Sequence, residues 1–206
     1  MASFASIRDP LSDHLLTPQN AALVIIDFQP VQVASIASRP KRELVANITA
    51  LARIGKLYGL PVVLSTVNVN TGRNQPTIHQ IVEVLASVEP IDRTSINAWE
   101  DEDFVRAVKA TGRRKLIMAA LWTEVCLVHP ALDAIRDGFE VYPVIDCVGG
   151  TSPEAHALGV QRLVQAGAQP IGWVSLAGEL QRDWARVDTV ADVVDIVLTT
   201  RLLATA

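Results

Sequence analysis

Five short apolar runs, none of them alternating with polar residues, constrain this chain more than anything else in it. They are residues 22–28 (ALVIIDF), 61–66 (PVVLST), 115–120 (KLIMAA), 140–145 (EVYPVI) and 169–175 (QPIGWVS). Each is short and rich in Val and Ile or in other apolar residues. Runs of this kind are strands buried on both faces, as in a parallel sheet. Between them lie helical patterns. Leu44, Ile48, Leu51 and Ile54/Tyr58 repeat at intervals of three and four and make one apolar face. Residues 101–111 begin with acids and end at Gly112, and residues 124–136 and 153–165 each run up to a glycine, Gly138 and Gly167. Strand alternating with helix predicts a three-layer α/β fold. Its sheet is doubly wound, mostly parallel, of about six strands, with helices on both faces.

The 206 residues are expected to form a single domain, 1–206, with no repeat and no linker. The polar, turn-rich stretch 67–76 follows a strand and falls at the carboxyl edge of the sheet, where ligands bind in such folds. The tail, 187–206, leans towards a helix whose apolar residues are not confined to one face. It must be covered, either by its own domain or by another copy of the chain.

Half of the residues are hydrophobic, 19% are charged, and the net charge is −4. Disorder is excluded on that balance. No basic cluster exceeds Arg113-Arg114-Lys115, so a nucleic-acid partner is not expected. No segment reaches the ~18 consecutive apolar residues of a membrane span, and residues 1–10 carry no signal-peptide pattern. Two cysteines fit a reduced, cytoplasmic protein. The apolar fraction and the tail point to a homo-oligomer.

Few residues carry chemistry by position. Asp27 ends the first strand, where a carboxylate either caps the next turn or serves as a base. Cys126 follows the third run, within Thr123-Glu124-Val125-Cys126. With Thr123 as N-cap, Cys126 falls in the first turn of a helix, whose dipole favours the thiolate. It also reads as a plain buried cysteine. Cys147 reads as structural. Arg93 precedes a helix and alone reads as one half of an ion pair. His14, His79, His129 and His156 show no metal-ligand spacing, so no metal site is expected. The first strand is followed by Phe28-Gln29-Pro30, not by a glycine-rich loop, and there is no phosphate-binding loop. No dinucleotide or other cofactor is therefore expected.

Several of these segments fall in a familiar order: ALVIIDFQ at 22–29, INAWEDEDFVRAVKATGRRKLIMA from Ile96, Thr123-Glu124-Val125-Cys126, and Asp146, Thr151 and Glu154-Ala155-His156. Together with residues 178–184 they resemble the isochorismatase-like cysteine hydrolase superfamily, most nearly its YcaC-type hydrolases, over about residues 20–186. The resemblance implies an Asp–Lys–Cys triad. Asp27 takes the place of the Asp and Cys126 that of the nucleophile, while the Lys position, four before Asn97, holds Arg93. Arginine keeps the charge but does not give up a proton. The resemblance also implies a cis peptide at Leu121–Trp122 and an oxyanion hole made by the N–H groups of Trp122 and Cys126. The metal-binding Asp-x-His cluster of nicotinamidases has no counterpart in 65–70, where no Asp or His occurs. The isochorismatase subgroup proper lacks the cysteine that this chain has. The activity implied is hydrolysis of an amide or carbamoyl C–N bond in a small molecule, with Trp99, Thr123, Asn68 and Asn70 against the substrate. A catalytically impaired member that acts as an oligomeric binding protein is the competing expectation.

Overall fold

The computed structural model describes residues 8–205. Most of the N-terminal stretch examined for a signal, residues 1–7, and the last residue of the tail lie outside that range. Five strands form one sheet: β1 (Ala21–Ile26), β2 (Val62–Val67), β3 (Ile91–Arg93), β4 (Lys115–Ala120) and β5 (Glu140–Pro143). The order is β3-β2-β1-β4-β5 and every pairing is parallel. All six residues of β1 and of β4 are buried, as their unbroken apolar composition requires of central strands.

Among the described residues eight α-helices surround the sheet: α1 (Pro30–Ser35), α2 (Lys41–Leu57), α3 (His79–Val84), α4 (Glu102–Ala110), α5 (Val128–Arg136), α6 (Pro153–Gln165), α7 (Trp173–Gln181) and α8 (Val187–Thr205). One layer gathers on α2, which packs against α3, α7 and α8. The other gathers on α5, which packs against α6 and β5. One connected core runs from Leu16 to Ile196. The tail helix α8 is covered in part by its own domain: Val193 and Ile196 are buried, and Asp195 pairs with Arg53 of α2 at 2.8 Å. Among the described residues no helix is long and apolar enough to cross a membrane.

Two expectations change. The sheet has five strands, close to the about six expected, and the run 169–175 is not one of them. Ile171 makes a single bridge to Val144, and the chain then turns into α7 at Trp173. The cause is distant in sequence: the Asp146 carboxylate accepts the Trp173 N–H at 3.0 Å and starts the helix there. Conversely, β3 arises where no apolar run marks a strand. Its three residues pair with Ser65, Thr66 and Val67, and Asp92 accepts hydrogen bonds from Thr66 Oγ1 and from the Val69 and Asn70 N–H groups. These donors hold the Asp92 carboxyl below its ordinary range although burial works the other way.

Candidate active site

The winding of the sheet reverses between β1 and β4, and in open α/β sheets the ligand crevice lies at the carboxyl ends there. Asp27 follows β1, Arg93 ends β3, and Cys126 lies six residues beyond β4. The structure brings these three together.

Asp27 leaves the strand with φ of 60°, a left-handed conformation uncommon for a non-glycine residue. Its N–H donates to Ser65 O at 3.0 Å. From β3, Arg93 reaches past β2 and grips the carboxylate with both arms: Nη1 to Oδ1 at 2.8 Å and Nη2 to Oδ2 at 2.7 Å. Neither side chain touches solvent. Nη1 also donates to Ser65 Oγ and Thr66 O, each at 3.0 Å, while Nε has no partner. The fork sets two charge-assisted hydrogen bonds in one plane, which a lysine cannot do.

Cys126 faces this pair. Burial, then the charge of Asp27 and a hydrogen bond with it, push the thiol up to about 12. Arg93 and the Trp122 backbone pull the other way but lose. The sulfur is therefore a neutral thiol at neutral pH. The expectation that the helix dipole favours the thiolate changes with it: burial outweighs the pull of Arg93 and of the Trp122 backbone. The local backbone differs as well. Cys126 is not in the first turn of an α-helix but in a π-helical turn, Thr123–Leu127, that precedes α5. Such turns are rare and are frequent at functional sites. Trp122, not Thr123, occupies the cap position. The Leu121–Trp122 peptide is cis, as the resemblance implied.

The remaining candidates part company. Thr123 is fully buried and its hydroxyl meets His156 Nδ1 at 2.9 Å. Trp122 is half-buried and donates from Nε1 to Ser35 Oγ at 2.7 Å. Trp99 is occupied elsewhere: it donates to Asp137 and stacks edge-on with Phe104 and Phe139, between α4 and α5. Asn68 organises its own loop. Its N–H donates to Arg93 O at 2.8 Å and its carbonyl receives the N–H groups of Arg73 and Asn74. Asn70 is exposed and tied to Asp92 through its backbone. Among the described residues no three of His, Cys, Asp and Glu gather as a metal site would require.

Three contributors were not singled out from the sequence. Gln29 is fully buried and clamps the end of β2: its amide donates to Val67 O and Gln75 O, and its Oε1 accepts the Val67 N–H. Ser65 supports Arg93. His156 backs the π turn. Gln29 and His156 lay within segments that carry the family resemblance, ALVIIDFQ and Glu154-Ala155-His156, without a role being assigned to them; Ser65 had no such signal.

Comparison with known proteins gives the family and the fold. The isochorismatase domain family matches residues 21–175. The chain belongs to that family, whose fold and hydrolase relatives it shares. It is 38% identical to "Probable hydrolase YcaC" of Escherichia coli (strain K12) over 82% of this chain and 81% of that one. Among solved structures, the YcaC gene product of Escherichia coli, described as an octameric hydrolase of unknown specificity, superposes with a TM-score of 0.85. It is 35% identical and the match covers 94% and 96% of the two chains. YcaC from Pseudomonas aeruginosa, solved with hexane-2,5-diol and covalent acrylamide, gives the same TM-score at 33% identity, covering 92% and 95%. Nicotinamidase PncA from Bacillus subtilis shares the fold at 20% identity, with a TM-score of 0.61 over 73% and 98%.

Proposed function

We propose that the chain is a cysteine-nucleophile hydrolase that cleaves an amide or carbamoyl C–N bond of a small molecule through a thioester. The observation that carries this reading is the meeting of Cys126 with a solvent-free Asp27–Arg93 pair at the switch point of the sheet. The thiol rests protonated, so the nucleophile forms only as it attacks. The S–H proton passes to Asp27, sulfur bonds to the carbonyl carbon, and the carbonyl electron pair moves onto oxygen. The N–H groups of Trp122 and Cys126 receive that oxyanion, an effect of ~3 kcal/mol per donor. The C–N bond then breaks and Asp27 returns the proton to the leaving amine. Water attacks the thioester, Asp27 takes its proton, and the sulfur leaves and is reprotonated. Arg93 stays charged throughout and positions Asp27.

A second reading is favoured by one feature. Arg93 occupies both oxygens of Asp27, so the proton acceptor is already engaged, as it would be in a binding protein that has lost turnover. Intact-protein mass spectrometry against a library of amides and carbamoyl compounds separates the two. An acyl adduct that disappears in Cys126→Ala supports the hydrolase; binding without an adduct supports the second reading. Both cysteines are free, which suits the cytoplasm, and assembly into a homo-oligomer is proposed from the octameric relative.

A further inference from the structure

The π turn that carries Cys126 is not held by its own backbone alone; α6 and the loop before it grip it. The Thr123 N–H donates to Gly149 O at 2.9 Å. Glu124 Oε1 accepts from the Thr151 N–H at 2.9 Å and its hydroxyl at 2.6 Å. Thr123 Oγ1 lies 2.9 Å from His156 Nδ1. The fit is close: a Cβ on Gly159 would come within 3.2 Å of Thr123 Cγ2 and Glu124 Cα. His156 is thus the one ionisable side chain of α6 that bonds to the turn. We infer that His156 is a positioning residue, which fixes Thr123 and through it the Cys126 thiol and N–H three residues on. The inference rests on the nucleophile assigned to Cys126 above.

The chemistry of the contact supports the role. Thr123 is fully buried, so without His156 its hydroxyl would lose the partner that holds it. With the ring proton on Nε2, Nδ1 accepts the Thr123 hydroxyl proton. Two charged groups face the ring, Arg39 from the loop before α2 and Glu124 from the turn itself. Burial, then Arg39, hold His156 below its ordinary value while Glu124 opposes them, so the ring is neutral at neutral pH and keeps that acceptor. Asparagine can place an amide oxygen where Nδ1 sits; alanine cannot.

Acrylamide is a probe that needs no known substrate. In its addition the sulfur bonds to the β-carbon, and the alkene pair moves through the carbonyl onto oxygen. Asp27 takes the thiol proton, which is then returned to the α-carbon. The rate therefore reports the alignment of thiol, base and N–H donors. Full-length protein at pH 7.5 is labelled and the adduct is followed by intact mass. His156→Ala is expected to label about tenfold more slowly, while His156→Asn stays within about threefold of the wild type. Thr123→Val should behave as His156→Ala, and Thr123→Ser as the wild type. Thermal melts accompany each variant, so that a slow label on a folded protein is distinguished from unfolding. His156→Ala labelling at the wild-type rate, or Asn as slow as Ala, overturns the inference. Cys126→Ala is the separate control. If it still takes the label at the wild-type rate, the nucleophile assignment fails, and the positioning role fails with it.

Discussion

At Arg93, the contrast between an ammonium and a guanidinium can be measured directly. The fork meets both oxygens of Asp27 out of contact with water. Arg93→Lys keeps the charge but can occupy one oxygen at a time. Hydrolysis of any verified substrate is therefore expected to fall more than about tenfold, ~1.4 kcal/mol. Arg93→Ala leaves a buried carboxylate without a counter-ion. That should cost ~3–5 kcal/mol of stability in denaturant unfolding, as the loss of one partner of a buried pair does. Unchanged kinetics in Arg93→Lys would mean that the fork serves no purpose beyond its charge. Gly150 tests the turn from the opposite side. A Cβ there would meet Glu124 Oε2 at 2.6 Å and the His156 backbone nitrogen at 2.9 Å. Gly150→Ala should destabilise by ~1–3 kcal/mol, the usual cost of overpacking, and equal unfolding midpoints would refute the close fit.

Among the elements, the strands that define the fold were legible because burial on both faces removes alternation from their sequence. β4 and β5 fall within residues marked by that signal, and β1 and β2 overlap their runs with one residue outside each. β3 was not, since Ile91-Asp92-Arg93 is short and two-thirds charged, and its pairing depends on Asp92 being satisfied by the 69–70 loop. Residues 169–175 misled for the reverse reason. Their composition suits a strand, but a carboxylate more than twenty residues earlier caps a helix in their midst. Asp27, Arg93 and Cys126 could be named together through the family resemblance, whereas the protonation of the thiol could not, because burial is a property of the folded whole. The fate of Trp99 was hidden similarly: its partners Phe139 and Asp137 lie far along the chain. One polar device also escaped notice. Lys115, the first residue of β4, is buried and donates to the carbonyls of Asp13 and His14 at 2.7 Å and of Leu15 at 3.3 Å. Lys115→Met strands those carbonyls and should lower stability by ~2–3 kcal/mol. An unfolding curve identical to the wild type would show that this strap contributes nothing.

For the molecule as a whole, a family hydrolase fold carries a thiol kept neutral by its surroundings. Several large apolar side chains stay exposed, among them Trp184, Val187 and Leu198 on and beside α8. They leave the tail with apolar surface that its own domain does not cover, which accords with the proposed homo-oligomer. Static light scattering at micromolar concentration should give a multiple of the 22.3 kDa chain, and the monomer mass would contradict it. The central claim, that Cys126 is at rest a thiol and ionises only by giving its proton to Asp27, can be tested by thiolate absorbance near 240 nm across pH, with Cys126→Ala as the blank. The wild type should show no thiolate step below about pH 10, since its thiol lies near 12. Because the charge of Asp27 raises that value, Asp27→Asn should bring the step to lower pH while abolishing hydrolysis: more thiolate and less catalysis. A wild-type step below pH 8, or one that moves upward in Asp27→Asn, would contradict the account.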